Sequence, residues 1–165
     1  MALTASATNT STFLISSTKL ADKLNDRLRA KKLDYRAVEI DCAATHAGAQ
    51  CRYDIGGVVV LTTVAAAPGG LIWNVVAAYE VRKANTAHGR SAAQRAAIAI
   101  YTVLMEVLSP RSGLRDRSVA LANLISNFSS SKQGAVEELD GVEYQMMAAS
   151  ATEVWLIATP TKDRR

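Results

Sequence analysis

Two cysteines and two histidines hold most of the reactive chemistry this chain can offer. Cys42 ends one alternating segment, 35–42, and Cys51 begins the next, 51–55. Each shares the apolar parity of its own segment. Val38, Ile40 and Cys42 oppose Glu39 and Asp41, and Cys51, Tyr53 and Ile55 oppose Arg52 and Asp54. Residues 43–50 can form the hairpin loop between them, which would bring the two Cβ atoms within disulfide reach. Closing so short a loop lowers unfolded-state entropy by roughly 2–3 kcal/mol in the chain-entropy picture. A structural disulfide implies an oxidising compartment, periplasmic or extracellular. Three readings compete with it: two reduced core thiols, a catalytic thiol with His46 as its one basic neighbour, and zinc. Cys42, His46 and Cys51 supply only three of the four ligands that structural zinc takes. The spacing favours the disulfide Cys42–Cys51, with no metal and no cofactor expected.

Two further groups could bind a ligand. His88-Gly89-Arg90-Ser91 leads into a helix, where free amides, a glycine and an arginine can hold an anion. It lacks the glycine-rich cradle of a dedicated phosphate site, so a plain capped helix start is the simpler reading. Trp73, Tyr79, Tyr144 and Trp155 all fall on strand-like segments and could line an apolar pocket between a sheet and its helices. A filled core would use the same residues. Glu137, Glu138, Asp140 and Glu143 cluster near a turn, and nothing in their spacing makes two of them face one cleft. Met146-Met147 puts one methionine on each face of its strand. No nucleophile-elbow, zinc-protease, phosphate-loop or dinucleotide motif is present, and no enzymatic activity is expected.

The elements that must position these residues read as an α+β arrangement. A helix over 17–32 carries Leu20, Leu24 and Leu28 on one stripe, with Ser16 or Ser17 to cap it. An antiparallel meander of about four strands follows, over 35–42, 51–55, 58–66 and 71–82, with turns at Gly56-Gly57 and Pro68-Gly69-Gly70. A second helix is expected to start from a capping box at Ser91 and Gln94 and to run to Leu108, stopped by Pro110 and Gly113. A third runs over 114–128 with Leu114, Leu121, Leu124, Ile125 and Phe128 inward. A C-terminal strand pair, 142–148 and 154–159, closes the chain. The helices are expected to pack on one sheet face. Blocks of strands and helices without regular βαβ alternation indicate α+β.

The 165 residues, 49% hydrophobic, suit one domain over 13–160, between a polar segment 1–12 and a charged tail 161–165. Aromatics are only 5%, so the core must be built from small and aliphatic side chains. Net charge is +4. Basic residues gather on the first helix (Lys19, Lys23, Arg27, Arg29, Lys31, Lys32) and near the later turn (Arg111, Arg115, Arg117), interleaved with Asp22, Asp26, Asp34 and Asp116. That pattern resembles a solvated face more than a nucleic-acid stripe, though it permits contact with an anionic membrane surface. No continuous apolar run is long enough to span a bilayer. The start, MALTASATNTST, lacks the basic and apolar parts of a signal peptide. It fits a cytoplasmic start, or the polar spacer of an exported chain whose signal has been replaced by Met1. The leading expectation is a non-catalytic exported interaction or assembly domain, binding another protein or itself through a sheet edge or the exposed side of the first helix. The alternatives are a small apolar-ligand carrier and an anionic-surface or nucleic-acid binder.

Overall fold

Leucines at four-residue spacing start the chain's first helix, and a computed structural model describing residues 11–46, 48–80, 86–131 and 134–161 shows what they pack on. Helix α1 (Ser17–Ala30) precedes strands β1 (Ala37–Thr45), β2 (Gly48–Ile55), β3 (Val59–Ala65) and β4 (Ile72–Glu80). Helices α2 (Ala87–Leu108) and α3 (Leu114–Ser130) follow, then β5 (Ala135–Leu139), β6 (Val142–Ser150) and β7 (Glu153–Pro160). The seven strands form one antiparallel sheet in the order β1-β2-β3-β4-β7-β6-β5. The last strand thus lies beside β4 and joins the meander to the C-terminal hairpin. The fold is α+β, as the sequence indicates.

Strand alternation gives this sheet two different faces. One face is covered by the three helices. Across it, in register, run Tyr53, Leu61, Ala77, Leu156 and Met146, all buried. Ala77 and Ala158 at the sheet centre share this buried core with Ala97 and Tyr101 of α2. Leu20, Leu24 and Leu28 of α1 are fully buried in the same core. Helix α1 and the C-terminal end of α2 are also pinned by polar contacts. Asn25 brackets both backbone groups of Ala37 at the start of β1, Ser17 meets the buried Thr63 hydroxyl at 2.7 Å, and Ser109 meets Tyr144 Oη at 2.7 Å.

Several local expectations change. A third C-terminal strand, β5, pairs with β6 through the two-residue turn Asp140-Gly141, both at positive φ. Helix α2 begins four residues before the expected capping box: Thr86 is the N-cap, its hydroxyl accepting from Gly89 N at 3.0 Å, and Ser91 is an exposed residue within the helix. On α3, Leu121 and Leu124 are buried and Ile125 and Phe128 are half-buried against the core as expected, and only the first turn differs. Leu114 is 62% exposed, while Arg117 is buried between helices. Val81 and Arg82, expected to end the fourth strand, lie outside the described residues, as do most of the N-terminal segment and the C-terminal tail. Helix α2 is the one helix among the described residues with the length and hydropathy of a membrane span. Its inner side supplies much of this core.

One carboxylate joins the three helices. Glu106 of α2 lies 2.8 Å from Lys31 Nζ and 3.6 Å from Arg27 Nε, both of the first helical segment, and 4.0 Å from Arg117 Nη2 of α3. Burial pushes its pKa up, but the Lys31 hydrogen bond and the charges of Lys31, Arg117 and Arg27 outweigh that and hold it below the ordinary value. Its contribution is therefore complete above the unfolded value of 4.5 and is lost as pH falls through the lower folded value. Glu106→Gln is expected to cost about 1–3 kcal/mol at neutral pH, since it leaves three cations facing one another. Urea denaturation of both proteins across this pH range should show the gap narrowing in acid. A gap that stays constant or widens would contradict this role.

Candidate functional site

The cysteine hairpin depends on one extra residue. From Ala37 to Glu39, β1 pairs with β2 in a single register, Ala37 opposite Ile55 and Glu39 opposite Tyr53. A bulge at Ile40 then shifts the pairing by one, so that Asp41 faces Arg52 and Cys42 faces Cys51. Without it, Cys42 would stand opposite Gln50. The two sulfurs are 2.11 Å apart, at disulfide-bonding distance, with Cα atoms 4.0 Å apart. The bulge also corrects the expected parity of β1. Val38 and Ile40 do not share an apolar face with Cys42; they are 54% and 50% exposed. Cys51 packs at the margin of the helix-covered core, and Cys42 is exposed. On the opposite face Arg52 Nε donates to Asp41 Oδ1 at 2.9 Å, which lowers the Asp41 pKa. Gly48, where β2 begins, has φ +129°, and a Cβ there would meet the Ala65 carbonyl oxygen at 2.0 Å, so the hairpin requires glycine at this point. His46 is exposed in the hairpin turn. Sulfurs bonded to each other have no lone thiolate for zinc, and no group of three His, Cys, Asp or Glu among the described residues is placed to hold a metal.

Among the described residues no helix covers the second face of the sheet. Its rows follow from the register. Val60, Ala78, Trp155 and Met147 form one, and Thr62, Val76, Ile157 and Gln145 the next. Val64, Asn74, Thr159 and Glu143 form a third, more polar row, in which Asn74 Nδ2 donates to Thr159 Oγ1 at 3.1 Å. Most of the apolar side chains here are only half-buried. The twisted surface cups a hollow of about 460 Å³ between Arg52 at one side and Glu80 and Glu153 at the other. Its flanking charges are engaged within the chain: Arg52 with Asp41, and Glu153 Oε1 as acceptor of Trp155 Nε1 at 2.8 Å. Glu80 too has a partner.

A cleft of about 540 Å³ opens on the helix-covered side, between the N-terminal half of α2, the C-terminal end of α3 and the sheet. Ala97, Tyr101, Tyr79, Met146 and Val154 make its floor, Ile98, Ile125 and Phe128 its walls, and Arg90, Ser91 and Gln94 its mouth. Tyr101 Oη donates to the Ala77 carbonyl at 3.2 Å, and burial pushes its pKa far above the ordinary phenol value.

The four aromatics named from the sequence are not brought together. Tyr79 lines the cleft, Tyr144 is fully buried against Ser109, and Trp155 lies on the open face. Trp73 sits at a register shift in β4, which turns Ile72 into the core in its place. Of the four candidate anion-binding residues, Arg90 and Ser91 reach the cleft mouth. His88 and Gly89 lie in the first turn of α2, with Gly89 N taken by the cap. Met146 fills the core while Met147 faces outward on the open face. Glu138 and Glu143 face each other across β5 and β6, and Asp140 binds Arg111 at 2.8 Å. The chain matches no family model, and no curated protein or solved structure shows significant similarity to it.

The cysteine geometry makes a direct expectation. Unreduced protein should resist alkylation at both thiols, and Cys42→Ser with Cys51→Ser should lower stability by about 2–3 kcal/mol. Two alkylated cysteines in carefully handled, unreduced protein would contradict a bonded pair.

Proposed function

We propose that this chain is a non-catalytic, exported assembly domain that associates through the open face of its sheet. The observation carrying this reading is the row structure of that face: Val60, Ala78 and Trp155 beside Val76 and Ile157, half-buried, with no helix over them among the described residues. Contiguous apolar surface of this kind marks interaction sites. The sheet edges suit the role less well. Edge strand β1 is kinked by its bulge and carries Glu39 and Asp41, and edge strand β5 is short and carries Glu137 and Glu138. Both are familiar protections against strand addition.

A second copy of the chain is the occupant these features favour. The charges flanking the face are already engaged, so a strongly charged partner finds no free counter-charge there. An equally apolar face meets it without cost, and a two-fold pair uses the same patch twice. Export rests on the cysteine pair, which is compatible with an oxidising compartment. The anionic-surface reading gains less support. Arg27 and Lys31 are drawn to Glu106, Arg29 to Asp26 and Arg111 to Asp140. A carrier of a small apolar ligand is favoured by a separate observation, the cleft beside α2 and α3.

Sedimentation over a range of concentrations tests the assembly reading. The wild-type chain should self-associate. Ile157→Lys, on the open face and away from the helix-covered core, should weaken that association by more than about tenfold while leaving the thermal transition in place. A wild-type chain that stays monomeric at high concentration, or a variant that associates equally well, would contradict it.

A further inference from the structure

We propose that the cleft between α2, α3 and the sheet binds a single-chain amphiphile with an anionic head group, of the fatty-acid class. The floor and walls are apolar, and the volume of about 540 Å³ lies within the range of small-ligand sites. The one polar atom of Tyr101 is already used: its hydroxyl donates to the Ala77 carbonyl, so its ring rather than a free hydroxyl contributes to the floor. Apart from the Tyr79 hydroxyl, the floor offers little to replace a polar ligand's hydration, whereas a hydrocarbon chain needs no such replacement.

The mouth has a different character. Among the described residues Arg90 is the only charged residue lining the cleft, with Ser91 and Gln94 beside it and no carboxylate in the lining. The first turn of α2 carries no acidic residue, and Ala87 of that turn reaches the mouth. A cation, two neutral hydrogen-bonding side chains and the positive end of a helix dipole thus stand where an acyl chain would leave the floor. Towards the other end of α2 the same inter-helix angle is filled by Leu104, Leu108, Leu121 and Leu124, all buried. At the cleft end Ile125 and Phe128 take those places and are only half-buried. The described residues leave this end open and line it with apolar surface.

The test is an NMR titration of the full chain with dodecanoate, kept below its micelle concentration, and with dodecanol as the neutral ligand of equal chain length. Saturable shifts at Ile98 and Ile125 are expected with both. Arg90→Gln, at an exposed position that leaves the fold intact, should weaken dodecanoate by roughly threefold to fivefold and leave dodecanol unchanged. Phe128→Gln should weaken both. Absence of saturable shifts, or shifts confined to the open face around Val76 and Trp155, would overturn the proposal. Equal dodecanoate binding in Arg90→Gln would overturn the assignment of the anionic head group.

Discussion

Side chains alternate across a strand, so a seven-stranded sheet always has two faces, and the described residues supply helices for only one of them. Every other feature follows from how that imbalance is handled. The covered face is unambiguous. Its rows of Leu, Val, Ile and Ala meet three helices: α1 is held to the sheet by Asn25 and Ser17, the end of α2 by Ser109, and Glu106 joins all three. Ala77 and Ala158 at the sheet centre share a core filled mainly by Leu, Ile, Val and Ala, as a chain so poor in aromatics requires. The other face keeps valines, an isoleucine and a tryptophan in positions where a helix would normally lie. Burying them elsewhere is a stabilisation the isolated chain has not collected.

Irregularities in pairing, rather than the regular ladders, decide where the chemistry sits. One inserted residue in β1 exchanges the face of everything after it. It brings Cys42 opposite Cys51, sets Asp41 against Arg52 and turns the edge of the sheet away from further pairing. The shift in β4 moves Trp73 out of the core position that Ile72 takes. A sheet without the two shifts would have neither its sulfurs in contact nor the same residues on its open face.

Much of the fold was legible in the sequence because period and punctuation agree. Leu20, Leu24 and Leu28 mark α1, and Gly56-Gly57 and Pro68-Gly69-Gly70 mark the meander turns. The cysteine pairing is legible because the two residues flank a hairpin, although the bulge, which no propensity signals, breaks the regular alternation of β1. Strand β5 was missed although Asp140-Gly141 between two short runs is the usual signal of a two-residue hairpin. Its charged Glu137-Glu138 concealed the alternation. The start of α2 was misplaced because Ser91 and Gln94 imitate a capping box inside a helix whose true cap is Thr86. Which face of the sheet would be open, and that Trp155 and Tyr144 stand on opposite faces of it, depends on register and helix placement, which are tertiary properties.

The fluorescence of Trp155 reads the open face directly. In a Trp73→Phe background it is the single tryptophan, and it stands in the central apolar row. If that face is an assembly surface, its emission should shift to the blue and its quenching by acrylamide should fall as protein concentration rises. Emission and quenching that do not change with concentration, with Trp155 open to quencher throughout, would contradict the account.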